Sequence, residues 1–420
     1  MVHLRPYVFV FLICAISPCK AASLTLFVYF DSSHELSDMA LKNITDMARA
    51  QTTDQITVLV QLHAYDNIAL RYQVVPGAIR LVDTIVLTDD AASDIVDAAA
   101  WAYQSAPADQ YMLVLWNHGF GILDPVWDPV QGTWTAEPDA LYNRECNACL
   151  RTAHNQHYVR RHRGFVFSSN HTNYLRSGQI PEVLKAISDD ILGGQKLAVV
   201  GFDTCMGAML EVGYLAAPYA HYLVGSQNCE MRDGWDYAAL LNRLGSGIET
   251  AGEAARAVVE TFSTYYQEHT QEEVYTCAAI NLSCIPILKE AVDVAVELAL
   301  ACWAQYGSAF KEAVIKARRV SPRFCFVPTY TDLHVFCHNL VAELADFTDS
   351  AELTTLRIAL ASICALVRKV TIARCQGADM EGRVNGLSIY FPLSHIDSSY
   401  VHNNFAQESA WIRFLEMVIS

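Results

Sequence analysis

The chain has 420 residues, of which 52% are hydrophobic, and a formal net charge of −16. A chain of this length and composition can bury one large core or two ordinary ones, so we expect a globular protein. The negative charge argues against nucleic acid and anionic membrane surfaces as partners.

Residues 1–22 have the layout of a secretory signal peptide. His3 and Arg5 precede the apolar stretch Val8–Ile16, and small residues follow it. The apolar stretch is too short to span a bilayer, which favours a signal over a membrane anchor. We therefore expect a secreted, periplasmic or cell-envelope protein with no stable membrane span once the signal is removed.

The cysteine count adds one constraint. Two of the 13 cysteines, Cys14 and Cys19, lie in the predicted signal, which leaves eleven. An odd number in an exported protein implies at least one unpaired thiol.

Predicted strands and helices alternate over the first half of the chain. In order they are strand Ser23–Phe30, helix Glu35–Ala50, strand Ile56–His63, a hairpin from YQVV to IVLT, helix Ala91–Ala106, strand Tyr111–Gly119, helix Pro181–Leu192, strand Lys196–Cys205 and strand His221–Gln227. Strands that are apolar on both faces and alternate with helices indicate an α/β fold, with a mostly parallel sheet flanked by helices.

Three further regions complete the predicted organisation. We expect a first domain at 23–245 with an insertion at about 125–178, which is longer than an ordinary connection. Beyond it, residues 246–420 predict a largely helical C-terminal unit, with a late strand at Asn385–Leu393, packed on the first domain.

His118 and Cys205 each stand at the end of a predicted sheet strand. In parallel α/β sheets, reactive groups lie just beyond the carboxyl ends of the strands, so the fold would bring this imidazole and this thiol together. A cysteine nucleophile needs a base and donors for the oxyanion, and the glycines after His118 offer such donors. Taken singly, each residue is more often a satisfied histidine or a buried cysteine.

Two segments resemble the signature blocks of the clostripain family of cysteine endopeptidases, which belongs with caspases, legumains, gingipains and separases. They are LVLWNHGFG and VVGFDTCMGAMLEVGYLAAPYAHYLVGSQNCEMRDGWDY, and the resemblance also covers the N-terminal strands and NGLSIYFPL. It implies a caspase-like fold, His118 as the catalytic histidine and Cys205 as the nucleophile. It also implies an oxyanion hole formed by the N–H groups of Gly119 and Cys205.

The resemblance further assigns two acidic residues to the substrate pocket, Asp203 and Asp233. Two carboxylates would select a long cationic side chain, which implies peptide or protein substrates cleaved after Arg or Lys. The alternatives are a helix N-cap for Asp203 and an ordinary turn with Gly234 for Asp233.

The chain departs from the family pattern near the predicted catalytic residues. Asn117 stands where Asp is usual, Phe120 interrupts the glycine run, and Met206 and Gly207 replace the more common Leu-Met pair. None of these changes removes a catalytic atom, but they are expected to alter the shape of the pocket.

The insertion suggests self-processing. Some clostripain-like enzymes cut themselves after a basic residue between the histidine and the cysteine, and Arg160, Arg161 and Arg163 are candidate cleavage sites here. A solvated basic loop is an equally good interpretation.

The chemistry so predicted needs no metal or other cofactor. The insertion also contains Cys146, Cys149, His154 and His157, whose spacing resembles half of a zinc site, although a disulfide or an exposed loop is the simpler explanation. Calcium is a weaker prediction, because the acidic residues from Asp124 to Asp139 lack an ordered ligand series.

The sequence thus predicts an exported cysteine endopeptidase with a Cys–His pair and no third orienting residue. Two other functions stay open. One is an inactive or weakly active caspase-like protein that binds basic peptides, and the other is a cysteine hydrolase that acts on small amides.

Overall fold

A computed structural model describes residues 22–32, 36–65, 67–124, 126–128, 133–135, 165–167, 174–247, 250–269, 274–324 and 328–420. The predicted signal peptide and most of the predicted insertion lie outside these ranges.

Within these ranges, the structure has a sheet of nine strands and three two-stranded sheets. The strands are β1 (Ala22–Asp31), β2 (Ile56–Tyr65), β3 (Ile68–Val75), β4 (Ala78–Val86), β5 (Ala108–Trp116), β6 (Val126–Asp128), β7 (Thr133–Thr135), β8 (Phe165–Phe167), β9 (Tyr174–Leu175), β10 (Leu197–Asp203), β11 (Ala220–Gly225), β12 (Thr276–Asn281), β13 (Tyr330–Asp332), β14 (Thr371–Gln376) and β15 (Ser388–Tyr390).

The order of the large sheet is β14-β12-β11-β10-β5-β1-β2-β3-β4. Its five central strands, from β11 to β2, are parallel to one another. Antiparallel strands extend both sides, with β3 and β4 on one and β12 and β14 on the other. The predicted α/β fold with a mostly parallel sheet, and the predicted hairpin, are confirmed.

The helices are α1 (Ser37–Arg49), α2 (Ala91–Ser105), α3 (Ile180–Lys185), α4 (Leu210–Ala216), α5 (Tyr237–Gly245), α6 (Ala251–His269), α7 (Ile285–Tyr306), α8 (Ser308–Val320), α9 (Leu333–Glu343), α10 (Ala351–Val370), α11 (Asn404–Glu408) and α12 (Trp411–Ile419). A π-helical turn, Ala186–Ile191, continues α3. Shorter 3₁₀ turns occupy Ser177–Gln179, Leu282–Cys284, Ala378–Met380 and Tyr400–His402.

Both faces of the central strands are buried, which explains their near-continuous apolar runs, whereas the edge strand β4 is mostly exposed. All seven residues of β10 are buried. Side chains such as Leu113 and Phe202 pack on one face, with α2 and α7 to α10, and side chains such as Val114 and Val199 pack on the other, with α1, α5 and α6. Side chains of the central strands therefore point alternately into two apolar cores.

The strands β5 and β10 end earlier than their apolar runs predicted. Trp116 is the last residue of β5 and Asp203 the last of β10, whereas the runs extended to Gly119 and Cys205. The chain turns at both places, so His118 and Cys205 lie in loops beyond the sheet.

The C-terminal part of the chain joins the large sheet instead of only packing on it, since β12 pairs with β11. The short strand β15 also contacts the turn after β10, because the N–H of Ser388 donates to the carbonyl of Ala208 at 3.0 Å. The boundary at about residue 245 stays a prediction. No helix in the part of the chain that the structure describes has the length and apolar character needed to cross a membrane.

Candidate active site

The carboxyl ends of β5 and β10 lie side by side in the sheet. Strand pairing places Asp203 opposite Trp116. Cys205 and His118 follow these two residues, each two positions further along the chain. The structure therefore brings the predicted nucleophile and the predicted base to the same edge of the sheet.

A tight turn after β10 presents Cys205. Within the described residues, Met206 is the one non-glycine residue with positive φ, at 58°. Its N–H donates to the carbonyl of Asn228 at 3.0 Å, and that of Ala208 donates to the carbonyl of Ser226 at 2.8 Å. A left-handed conformation is costly for a side-chain-bearing residue and persists where its surroundings fix it. The segment after β11 thus holds the turn that carries the thiol.

The loop that carries His118 packs directly on this turn. A Cβ atom added to Gly119 would overlap the carbonyl oxygen of Cys205 and lie 2.6 Å from Oγ1 of Thr204. No side chain fits there, so glycine at position 119 permits the two loops to approach each other. Tyr330 anchors the same loop, because its hydroxyl donates to the carbonyl of Phe120 at 2.5 Å.

Asn117 orients the backbone that leads to His118. The Asn117 side chain is buried, and its Nδ2 donates to the carbonyl of Asp31 while its Oδ1 accepts from the N–H of His118, both at 2.5 Å. The carboxylate of Asp31 in turn pairs with Nδ1 of His63 at 2.8 Å. The Asn117 amide makes both hydrogen bonds, whereas an Asp at this position could accept from His118 but has no donor for the Asp31 carbonyl.

The Cys205 thiol has several hydrogen-bond donors around it. The N–H of Glu230 lies 3.2 Å from Sγ of Cys205, and the N–H groups of Gly119 and of Cys205 itself also bond to this sulfur. The pKa of the Cys205 thiol is lowered, most of all by a hydrogen bond from the Cys229 side chain, although burial opposes the shift. A lowered pKa increases the thiolate fraction at neutral pH.

Asp203 is a buried carboxylate beside this thiol, with only 2% of its surface exposed. Its Oδ2 accepts from the hydroxyl of Tyr237 at 2.8 Å and from the N–H of Trp235 at 3.2 Å. Burial is the main reason that the pKa of Asp203 is raised to about 7. Its Oδ1 has no hydrogen-bond partner in the described structure. Asp203 does not cap the next helix, α4, which begins after Met209.

Asp233 lies in the turn with Gly234 that the sequence indicated, and its side chain is 40% exposed. It accepts a hydrogen bond from the hydroxyl of Tyr265 at 2.6 Å, and Nζ of Lys42 lies 4.0 Å away. The glycine brings this turn close to Asp203, because a Cβ at position 234 would lie 2.9 Å from Asp203 Oδ2. The role of Asp233 in substrate binding stays a prediction.

Sequence reasoning missed Glu230 and Cys229, which follow β11. Both carboxylate oxygens of Glu230 are buried and have no partner in the described structure. Burial raises the pKa of Glu230 well above its ordinary value, and Asp203 and Cys205 raise it further. The sequence could have indicated both residues, because they follow β11, and β11 is the next parallel strand and ends at the same edge of the sheet.

Other predicted sites lie outside the described residues. These are the cleavage candidates Arg160, Arg161 and Arg163, and the zinc-like group Cys146, Cys149, His154 and His157. Among the residues that are described, no group of three or more His, Cys, Asp or Glu side chains is placed to hold a metal ion.

Comparison with known proteins places this site in a family. The sequence model of the clostripain family matches residues 150–417, which is more than half of the chain. None of the curated proteins compared with the chain matches it.

Three similar solved structures share the fold at low sequence identity. A secreted C11 cysteine protease from Bacteroides thetaiotaomicron, named iotapain, has a TM-score of 0.61 and 16% identity, over 94% of this chain and 99% of that one. A structure of a secreted C11 protease of the same organism with an irreversible peptide inhibitor has a TM-score of 0.57 and 16% identity, over 94% of this chain and 97% of that one. An inactive zymogen C11 protease from Parabacteroides distasonis has a TM-score of 0.57 and 16% identity, over 93% of this chain and 99% of that one. The chain belongs to the clostripain family of cysteine proteases.

Proposed function

We propose that this protein is an exported cysteine endopeptidase that cleaves peptide bonds after Arg or Lys, with Cys205 as nucleophile and His118 as base and acid. One observation carries the proposal: Asp203 is buried two residues before a thiol whose pKa is lowered, and one of its carboxylate oxygens has no partner within the described ranges. An unpaired buried carboxylate is costly, and a cationic substrate side chain would supply the missing charge.

The chemistry follows from the groups around Cys205. His118 takes the proton of the Cys205 thiol. The thiolate then attacks the carbonyl carbon of the scissile bond, and the N–H groups of Gly119 and Cys205 stabilise the oxyanion. His118 gives a proton to the leaving amine as the C–N bond breaks, which leaves an acyl-enzyme. His118 then takes a proton from water, whose oxygen attacks the thioester carbonyl, and the Cys205 sulfur leaves with the release of the acid product. No step of this sequence requires a metal.

Two properties of the solved relatives support export and activation as parts of the proposal. One relative is described as secreted and another as an inactive zymogen. We expect residues 1–22 of this chain to direct export. We also expect self-cleavage after Arg160, Arg161 or Arg163, because an Arg-rich segment between His118 and Cys205 suits a pocket that selects basic side chains.

Intact-mass measurement tests self-cleavage. The wild-type protein should convert to two fragments, whereas a Cys205→Ala variant and a variant with all three arginines changed to Gln should stay full length. Conversion of the Cys205→Ala protein on its own would contradict self-cleavage, and a wild-type protein that is active while full length would do the same.

Peptide hydrolysis tests the function itself. Fluorogenic peptides that differ only at the residue before the cut should be hydrolysed when it is Arg or Lys, and Cys205→Ala or His118→Ala should abolish this. Equal rates with neutral residues would contradict the basic specificity. A folded wild-type protein that binds basic peptides without cleaving them would instead establish the binding-protein alternative.

A further inference from the structure

Three carboxylate oxygens near Cys205 have no hydrogen-bond partner in the described part of the chain. They are Oδ1 of Asp203 and both Oε atoms of Glu230, and all three are buried. Buried polar atoms are almost always paired, so each of these needs an explanation. One missing partner for all three is simpler than three separate exceptions.

No cation among the described residues compensates the charge of Glu230. The charged groups that act on Glu230 among the described residues are Asp203 and Cys205, and both are anionic when ionised. Two carboxyl groups in each other's field cannot both ionise cheaply without a positive partner, and burial makes this worse. A ligand that supplies a positive charge would remove this cost.

Glu230 lies next to the predicted nucleophile, so a cation bound to it would be close to the bond that is cut. Its backbone N–H lies 3.2 Å from Sγ of Cys205, so this residue is at the point of attack. Its charge also acts on the hydroxyls of Tyr237 and Tyr266, and Asp203 accepts a hydrogen bond from Tyr237. Glu230 and Asp203 thus share one region beside the nucleophile with the hydroxyls of Tyr237 and Tyr266.

The arrangement of the oxygens distinguishes between cations. A carboxylate with both oxygens free can accept two parallel hydrogen bonds from a guanidinium, and a guanidinium has further N–H groups for a second carboxylate. A Lys ammonium is a point charge that cannot use the two oxygens as a fork. The free Glu230 carboxylate therefore matches Arg better than Lys.

We propose that Glu230 is a specificity-determining residue that acts with Asp203 on the substrate side chain before the cut bond, and that the pair selects Arg over Lys. This inference rests on the proposed cleavage after basic residues and narrows it. It also separates Glu230 from Asp233, whose more exposed carboxylate already has Tyr265 and Lys42 as partners.

The test compares kcat/KM for three peptides that are identical except for Arg, Lys or citrulline before the cut. Citrulline has the shape of Arg without its charge. The wild-type protein should prefer Arg to Lys, and Glu230→Gln should lower kcat/KM for Arg by about 100-fold, because it removes one partner of a buried charge pair. The ratios of Arg to Lys and of Arg to citrulline should both fall at least tenfold.

Two controls keep the result interpretable. Asp190→Asn removes an exposed carboxylate near the turn that leads into β10, and it should leave all three rates unchanged. The rate of Cys205 alkylation by iodoacetamide reports whether the site of each variant is intact. Where Glu230→Gln does not fold, Glu230→Asp keeps the charge but shortens its reach, and it should lower the Arg to Lys ratio.

The outcomes separate this inference from the proposed function. Unchanged ratios in a folded Glu230 variant, with the basic preference lost in Asp203→Asn, would overturn the role of Glu230 and leave the proposed function standing. A wild-type protein that prefers Lys would also overturn the role of Glu230. Wild-type cleavage with no preference for either basic residue would overturn both.

Discussion

The backbone N–H of Glu230 donates a hydrogen bond to Sγ of Cys205 at 3.2 Å, while the carboxylate of the same residue is buried and has no hydrogen-bond partner among the described residues. One residue thus touches the predicted nucleophile and also faces the region where a basic substrate side chain would bind. The amide stabilises the thiolate through a charge-assisted hydrogen bond. The ionised carboxylate is destabilising when no cation is bound beside it, because it is buried.

The first prediction concerns Cys229, whose side chain makes the largest contribution to the lowered pKa of Cys205. Cys229→Ala removes the donor and should raise the pKa of Cys205, because the thiolate loses a hydrogen bond that stabilises its charge. The pH profile of Cys205 alkylation measures it. Cys229→Ser keeps a donor and should shift the profile less. An unchanged midpoint in the Ala variant would refute this role.

The second prediction concerns the close contact between the two loops. Gly119→Ala would force its Cβ against the carbonyl of Cys205, so the loops must separate and the oxyanion donors must move. We expect kcat to fall about 100-fold or more, as when an oxyanion-hole donor is lost. The matched control is Gly178→Ala, where a Cβ would meet no atom within 4 Å. Similar kcat values for the two variants would contradict the account.

The third prediction is a pH dependence of substrate choice. The pKa of Asp203 is raised to about 7, mainly by burial, and the neighbouring Cys205 raises it too. Below that pH Asp203 carries a proton and attracts a cation less. The ratio of kcat/KM for Arg over citrulline peptides should therefore increase on the order of tenfold from pH 5.5 to pH 8.

The ratio is the quantity to measure, because the attack by Cys205 is common to both peptides and cancels in the ratio. The increase should be smaller in Asp203→Asn, in which Glu230 is the remaining carboxylate. A ratio that is flat in the wild-type protein, or that decreases with pH, would contradict the proposed recognition by Asp203.

The fourth prediction concerns Glu211, which ties α4 to the C-terminal strand β15. Glu211 is fully buried, its Oε1 accepts from the N–H of Tyr390 at 2.8 Å, and burial raises its pKa from 4.5 to about 7. The folded protein keeps this proton up to a higher pH than the unfolded chain. Stability from this group is thus complete below pH 4.5 and is lost as the pH rises to 7.

A Glu211→Gln variant cannot lose that proton. Its free energy of unfolding relative to the wild-type protein should increase by about 3 kcal/mol between pH 4.5 and pH 8. Urea unfolding at several pH values measures this, with Asp190→Asn as the control that leaves the difference constant. A difference that does not depend on pH would show that Glu211 is ionised in the folded protein.

The position of the site could be predicted from the sequence for a definite physical reason. Apolar runs that lead into His118 and Cys205 predict parallel strands, and the ends of neighbouring parallel strands meet at one sheet edge. The carboxylate at Asp203 was visible in the same way. These inferences need only local patterns and one rule of topology.

The place of Glu230 and the pairing of the C-terminal strands could not be predicted from local sequence patterns. Glu230 lies in a loop, and only the pairing of β10 with β11 shows that this loop returns to Cys205. The strand β14 follows directly after the helix α10, and its antiparallel pairing with β12 joins segments that are about a hundred residues apart. Local periodicity does not report such distant pairing.

The most direct test of the central claim is the identity of the residue labelled by an Arg-containing peptide that carries a thiol-reactive group. Mass spectrometry of the labelled protein should find the modification on Cys205, and an excess of Arg peptide substrate should prevent it. A Cys205→Ala protein should show neither label nor hydrolysis. Labelling of another cysteine together with hydrolysis that survives in Cys205→Ala would contradict the assignment.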